Sequence, residues 1–164
     1  GTMEQVIVTP LRAGEIILGK LLPFVVIGLV EITLALPIIM LVFHIQLRGS
    51  LFLLYLFSGL FLLTTLGLGL FISTLVKTQQ QAMLVAAFFV MMPFILLSGF
   101  IFPVDTMPPV IREVACFIPL KYYLTIRRGI FLKGVGWNEL WSPALVLLVW
   151  GVGILSLAAL KYKK

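Results

Sequence analysis

The sequence predicts an all-α polytopic membrane protein with four transmembrane helices. Apolar residues make up 62% of the chain and charged residues only 11%, whereas soluble domains average about 45–50% apolar and about 25% charged. Four apolar stretches are each long enough to cross about 30 Å of hydrocarbon as a helix. A more polar segment separates the third stretch from the fourth. We therefore divide the chain into short N-terminal helices over 1–20 and a transmembrane domain over 21–164.

The N-terminal part, residues 1–20, has the pattern of two short helices. Thr2 and Gln5 have the spacing of a capping box, which satisfies free N–H groups at a helix start. Pro10 ends that helix and suits the first position of the next one. The second piece, 10–20, mixes charged and apolar residues, a mixture typical of a helix at the water–lipid boundary.

The first two spans are predicted over about 21–43 and 51–76. Glu31 is the only ionisable residue in the first, which also holds Pro23 and Pro37 as potential kinks. A short polar turn follows, so the second span must run back antiparallel to the first. The second span carries small residues that favour close helix packing, namely Ser58, Gly59, Thr64, Thr65, Gly67, Gly69 and Ser73.

The last two spans are predicted over about 82–102 and 141–160, with segment 103–140 between them. No stretch of this segment is long and apolar enough to cross a bilayer. Two half-length helices, 110–118 and 120–132, flank Pro119 and predict a re-entrant or interfacial hairpin. In the second helix, Tyr122, Ile126 and Ile130 recur at helical spacing and form an apolar face. Tryptophans 137 and 141 fit headgroup level.

Few residues suggest chemistry. Residues 14–21 approach a phosphate-binding GxxxxGK[ST] motif, but Leu21 replaces the hydroxyl residue and no strand precedes it, so we interpret the match as coincidental. Cys116 is the only cysteine, and we expect it to be a small buried apolar residue. No catalytic set or metal-spaced cluster is visible, so we expect neither an enzyme nor a metal or cofactor site on this chain.

Glu31 is open to two interpretations. An ionised carboxylate within a span costs at least ~2.5 kcal/mol, so such residues face a bundle interior, a partner or water. One interpretation places Glu31 in a translocation path. The other makes it a protonated or paired carboxyl, or places it closer to the interface.

The charge distribution bears on partners and topology. The formal charge is +6, but no basic face interleaved with aromatics is present, so we expect a lipid bilayer as partner and no nucleic acid. Four spans place both termini on one side. Six Lys and Arg residues fall on each side of the predicted topology. Discounting the long third connector leaves a weak preference for cytoplasmic termini.

Four groups of residues together resemble one family. The segments GTMEQVIVTPLRAGEIILGK, ISTLVKTQQQAM, SGFIFPVDTMPP and PLKYYLTIRRGIFLKG follow one another between Gly1 and Gly134. In order and spacing they resemble the permease subunit of type-2 ABC exporters, of the multidrug and antibiotic-resistance export branch. Permeases of this family have six spans. The resemblance implies that this chain is the C-terminal portion, with the third to sixth spans and an extracytoplasmic re-entrant segment over 103–140.

The resemblance also implies partners and functional residues. Segment 1–9 would be a coupling helix docked on a separate ATPase subunit that holds ATP and Mg²⁺, with Glu4, Gln5 and Thr9 as contacts. The region from Phe100 to Leu132 would shape an outer gate, for which we select Phe100, Phe102, Tyr122 and Tyr123. Glu31 joins them as a path residue on local grounds only. Further expected partners are a second permease copy, in a homo- or heterodimer, and a periplasmic adaptor.

The function that the resemblance implies is ATP-driven export of a hydrophobic or amphipathic substrate across a bacterial inner membrane, with both termini of this chain cytoplasmic. Drugs, lipids and lipid-linked glycans all suit apolar spans. Two alternatives stay open. One is a membrane scaffold subunit that transports nothing, and the other is an ion-coupled carrier that uses Glu31 and needs no ATPase.

Overall fold

A computed structural model describes residues 12–162, and every regular element within that range is helical. The predicted helix over residues 1–9 lies outside the described residues. The elements, in chain order, are α1 (Ala13–Val42), α2 (Leu51–Leu75), α3 (Gln79–Leu97), α4 (Pro109–Ala115), α5 (Pro119–Arg128) and α6 (Trp137–Tyr162).

Four of these helices, α1, α2, α3 and α6, are long and apolar enough to cross a membrane. The chain is therefore a multi-pass membrane protein, and the predicted all-α class with four transmembrane helices is confirmed. Helices α1, α2 and α6 are longer than the roughly 20 residues that cross about 30 Å of hydrocarbon. Helix α3, with 19 residues, is close to that length.

Helix α1 is continuous from Ala13 to Val42. Its first turn is capped where the Arg12 N–H donates to Glu15 Oε2 over 3.0 Å. The residues up to Lys20, which we expected at the interface, form the start of the same helix as the first span. Both Pro23 and Pro37 lie inside it. Because residues 14–21 are helical, they do not form the loop that a phosphate-binding motif requires.

Helices α2 and α6 form the closest packed pair of spans. Thr64 is 1% exposed, and its Oγ1 lies 3.0 Å from Leu60 O and 3.5 Å from Leu147 O on α6. A Cβ on Gly67 would lie 2.9 Å from Leu155 Cδ2. The small residues Ser58, Thr64 and Gly67 are buried, whereas Gly69 is exposed and a Cβ there would have nothing within 4 Å. The predicted small-residue face is thus only partly an interface within this chain.

Two connectors meet at one end of the bundle, which we call the connector face: loop 43–50 between α1 and α2, and segment 98–136 around α4 and α5. The Gly49 N–H donates to the Ile130 carbonyl over 2.9 Å. The Arg128 guanidinium donates to the Gly99 carbonyl over 3.0 Å. Both bonds hold the α5 region, which continues through a π-helical turn at Gly129–Lys133, against the ends of the neighbouring spans.

Helix α5 is amphipathic in the predicted sense. Ile126 and Ile130 are 0% exposed and belong to the core between α1, α2 and α6, with Tyr122 partly buried against the same core. Thr125 and Arg128 are exposed. The two short helices flanking Pro119 are therefore present, as α4 and α5, while their position relative to a bilayer stays a prediction.

Helix α3 differs from the other spans because no residue of its most apolar window is buried. Its middle, Ala86–Met91, is wound as a π-helix, a departure that is rare and often found at functional sites. Phe88, Phe89 and Met91 in this stretch are all more than half exposed. This apolar face of α3 is thus left without a partner within residues 12–162.

Candidate functional site

The residues predicted to contact an ATPase subunit, Glu4, Gln5 and Thr9, lie outside the described residues. Glu31 lies near the middle of α1 and is exposed. It forms no hydrogen bond or ion pair with any of residues 12–162. The structure therefore places this carboxylate on the outer surface of the described bundle, away from the buried core.

Phe100 and Phe102 follow α3 in a turn at the connector face. Gly99 begins the turn with φ of 86°, a conformation that favours glycine. The Phe100 N–H donates to Ser98 Oγ over 3.3 Å, and Ser98 is 3% exposed. The two phenyl rings are 65% and 55% exposed, so the turn holds the backbone firmly and leaves both side chains outside the core.

Tyr122 and Tyr123 are neighbours on α5 but point to different parts of the structure. The Tyr123 hydroxyl lies 2.9 Å from Ser58 Oγ on α2, and its ring stacks on Phe61 with centroids 4.4 Å apart. The Tyr122 hydroxyl donates to the Cys116 carbonyl over 2.7 Å, closing the corner between α4 and α5. Both residues therefore hold α5 in place within this chain.

The predicted burial of Cys116, at the corner between α4 and α5, is wrong. Cys116 is exposed, not buried as predicted, because α4 ends there and turns the side chain outward. Lys121 Nζ lies 3.3 Å from its Sγ. Burial raises the pKa of the Tyr122 hydroxyl, the Cys116 thiol raises it further, and Lys121 acts in the opposite direction.

A groove at the connector face joins several of these residues. A cavity of about 260 Å³ opens between α1, the turn after α3, and α5, and is lined by Ile39, Ile45, Phe100, Leu124, Arg127, Arg128, Phe131 and Leu132. A smaller cavity of about 70 Å³ lies next to it and is lined by Ile32, Ala35, Leu36, Ile39, Leu54, Tyr123, Arg127 and Phe131. We call the two cavities together the connector groove.

Two of the predicted gate residues line the connector groove and two do not. Phe100 lines the larger cavity and Tyr123 the smaller one, and Arg127 lines both. Phe102 and Tyr122 line neither. Sequence reasoning did not select Arg127. The one sequence feature that could have identified Arg127 is its position directly after Ile126, at the edge of the apolar side of α5.

Chemically, the described residues offer apolar and charged binding surfaces. Among residues 12–162, no group of three or more His, Cys, Asp or Glu is placed to hold a metal ion. An apolar cavity of about 460 Å³ lies between α2 and the start of α6 beside Trp137 and Trp141. In that region the Trp137 ring stacks on Phe57 with centroids 5.7 Å apart.

Comparison with known proteins gives consistent matches along the chain. The family model described as ABC-2 type transporter matches residues 1–132. The chain is 38% identical over 164 residues to the probable multidrug ABC transporter permease YbhS of Escherichia coli strain K12, covering 100% of this chain and 44% of that protein. It is 37% identical over 151 residues to the probable multidrug ABC transporter permease YbhR of the same strain, covering 90% and 40%.

A more distant relative is the inner membrane transport permease YhhJ of the same strain, 27% identical over 165 residues, covering 100% of this chain and 44% of that protein. No solved structure matches the chain. The chain spans less than half the length of these relatives. The match of the family model over most of the chain, together with four membrane-spanning helices, shows that the chain belongs to the ABC-2 type transporter family.

Proposed function

We propose that this chain is part of the permease of an ATP-driven exporter that moves a hydrophobic or amphipathic substrate out of a bacterial cytoplasm. The observation that carries the proposal is the 38% identity, over the whole chain, to a probable multidrug ABC transporter permease. The architecture supports it, because α2 and α6 pack into a stable pair while α1 and α3 leave apolar faces open for a substrate or another subunit.

The proposed assembly contains this chain in a permease, a second permease copy, and ATPase subunits that hold ATP and Mg²⁺. In that assembly the segment with Glu4, Gln5 and Thr9 docks on the ATPase from the cytoplasmic side, where both ends of this chain would lie. Glu31, Phe100, Phe102, Tyr122 and Tyr123 belong to the translocation path and its outer gate. A periplasmic adaptor would be a further partner of the outer face.

Support for movement in this assembly comes from the unequal packing of the spans. A conformational change needs elements that can shift without breaking a core. In the most apolar stretch of each span, 28% of the residues are buried in α2 and in α6, 6% in α1, and none in α3. Moving α3 relative to the α2–α6 pair would therefore cost few buried contacts, whereas α1 would first have to release Leu36 from the core.

Reconstitution tests the proposal directly. The intact permease and its ATPase, placed in proteoliposomes, should move a fluorescent amphiphilic dye in the presence of ATP and not in the presence of a non-hydrolysable analogue. The double variant Glu4→Ala, Gln5→Ala should abolish dye movement while the ATPase subunit still hydrolyses ATP. Glu139→Ala, which removes an exposed carboxylate at the start of α6 outside the proposed gate region, is the matched control and should transport normally.

The results also decide between the proposal and its alternatives. A scaffold subunit would show no ATP-dependent dye movement in any variant. An ion-coupled carrier would move dye when a pH gradient is imposed, without the ATPase subunit and without nucleotide. Either outcome would overturn the exporter assignment. Normal dye movement by the Glu4, Gln5 variant would overturn the coupling assignment alone.

A further inference from the structure

We propose that the connector groove is a binding site for an anionic phospholipid, with the phosphate held by Arg127 and Arg128 and an acyl chain lying on the apolar wall toward α1. The proposal rests on the placement of charge in the groove and needs only that the chain spans a membrane. It does not depend on the exporter function.

The depth of Arg127 is the first argument. It lines a cavity with Leu36 and Ile39 of α1 and Leu54 of α2. Helix α1 ends at Val42 and α2 begins at Leu51, so with a rise of about 1.5 Å per residue the cavity that Arg127 lines reaches one to two turns inside the helix ends, and Arg127 itself is exposed. In a span of this length, that depth is the boundary between headgroups and hydrocarbon.

The absence of a counter-charge is the second argument. No carboxylate lines either cavity of the connector groove. Within residues 12–162, Arg127 forms no hydrogen bond or ion pair. Arg128 donates to the Gly99 carbonyl, which satisfies part of its guanidinium without neutralising the charge. Two adjacent cations at the membrane boundary are therefore left to be neutralised by an anion from outside the described chain.

The chemistry of the walls selects the kind of anion. Apart from the two arginines, every residue lining the larger cavity is apolar, including Ile39, Leu124 and Phe131. A free phosphate ion would leave most of its oxygens facing apolar side chains, which is costly. A phospholipid instead presents one phosphodiester to the arginines, in the fork geometry that guanidinium groups favour, and its glycerol and acyl carbons to the apolar wall.

The surface beyond the groove continues this arrangement. Ile38 and Leu41 on α1 are 56% and 74% exposed, so an acyl chain leaving the cavity meets apolar surface along the last turns of α1. The cavity of about 260 Å³ holds the phosphate and glycerol region, and the lipid tail extends along α1 into the surrounding bilayer.

Photo-crosslinking of a labelled lipid tests the site. The intact protein is reconstituted in nanodiscs with phosphatidylglycerol that carries a diazirine on one acyl chain, and crosslinked peptides are mapped by mass spectrometry. We expect crosslinks within residues 38–45 and 124–132. Excess unlabelled phosphatidylglycerol should compete, while excess phosphatidylcholine and millimolar inorganic phosphate should not.

Variants connect the crosslinks to the arginines. Arg127→Gln should lower crosslinking at these peptides by about tenfold, the usual scale for a lost charge-assisted contact, and Arg127→Lys should restore part of it. Arg112→Gln is the control, because Arg112 is an exposed arginine at the same face that donates to the Asp105 carbonyl, outside the groove. Size-exclusion profiles and melting curves confirm that each variant is folded.

Three results would each overturn the proposal. Equal crosslinking of wild type and Arg127→Gln would show that the arginine binds no headgroup. Equal competition by phosphatidylcholine would make the groove a general apolar surface. Displacement of the labelled lipid by inorganic phosphate would assign the groove to a free anion.

Discussion

The hydroxyl groups of Ser58 on α2 and Tyr123 on α5 are 2.9 Å apart and share a hydrogen bond. Ser58 is 1% exposed, and the Tyr123 ring lies parallel to that of Phe61, one turn further along α2. This pair is a polar link between α5 and the packed spans, in addition to the bonds from Gly49 to Ile130 and from Arg128 to Gly99.

Removing either hydroxyl should destabilise the fold slightly, and the effects of the two removals should not add. Hydrogen bonds between helices in membranes average about 0.6 kcal/mol, with a maximum near 1.7. We expect Ser58→Ala and Tyr123→Phe each to lower the free energy of unfolding by about 0.5–1.5 kcal/mol, and the double variant to cost clearly less than their sum. Equilibrium unfolding in mixed micelles measures all three.

Ser156→Ala is the control for the serine change. Ser156 is exposed on α6 and donates to the carbonyl of Val152 in its own helix, so its loss should change the free energy of unfolding by less than about 0.5 kcal/mol. Additive effects of the Ser58 and Tyr123 changes would contradict the idea that the two hydroxyls bind each other.

The close approach of α2 and α6 gives a second prediction, tested at two glycines on one helix. A Cβ at Gly67 would meet Leu155 and Ile154 at 2.9 and 3.0 Å, whereas a Cβ at Gly69 would meet nothing within 4 Å. Gly67→Leu should therefore destabilise by about 1–3 kcal/mol through overpacking. Gly69→Leu should be neutral or stabilising by up to about 1 kcal/mol, because leucine is the better helix former. Equal effects at both positions would contradict the packing of these helices.

Much of the fold could be predicted because hydrophobicity and helical periodicity decide it locally. Glu31 is isolated in a long apolar run, and the spacing of Ile126 and Ile130 marks the buried side of α5; both follow from the sequence. The chemistry of the lipid core leaves a spanning chain of this length little choice except helix. Span number and helix type are therefore the features that sequence reasoning reaches best.

The features that sequence reasoning missed depend on contacts between distant residues. Nothing local indicates that Gly67 faces α6 while Gly69 faces outward, because both are small residues in the same apolar helix. The expected burial of Cys116 failed because composition cannot tell where α4 ends and which way the chain turns. Arg127 entered the candidate site only through its position on α5 beside α1 and α2, which no motif records.

The hydrogen bond at the corner of α4 and α5 gives a third prediction, with a pH dependence. The Tyr122 hydroxyl donates to the Cys116 carbonyl over 2.7 Å, so Tyr122→Phe should lower the free energy of unfolding by about 0.5–1.5 kcal/mol near neutral pH. Burial raises the pKa of Tyr122 in the folded state. The stabilisation is therefore complete below the unfolded pKa, about 10, and is lost as the pH rises through the folded pKa.

Melting curves recorded across a range of pH test this loss of stability at alkaline pH. The stability difference between wild type and Tyr122→Phe, taken from melting curves, should be constant from about pH 6 to 9 and shrink above about pH 10. A difference that grows at alkaline pH would mean that the folded protein favours the tyrosinate, against the assigned cause.

Glu31 gives the last prediction, because its placement separates stability from transport. The side chain is exposed near the middle of α1 and has no partner among residues 12–162. Replacing the carboxyl group by an amide of the same shape removes a group whose ionised form costs at least ~2.5 kcal/mol at the centre of a span. Glu31→Gln should therefore insert and fold at least as well as wild type.

On the proposal that Glu31 lines the translocation path, the same variant should lower ATP-dependent dye movement by about tenfold, equivalent to ~1.4 kcal/mol in the barrier. Glu139→Gln removes an exposed carboxylate from the first turn of α6, outside the proposed gate region, and should leave dye movement unchanged. Wild-type transport by Glu31→Gln would exclude a role in the path. Improved folding together with reduced transport would show that the carboxylate is kept for function at a cost to stability, as intramembrane charges generally are.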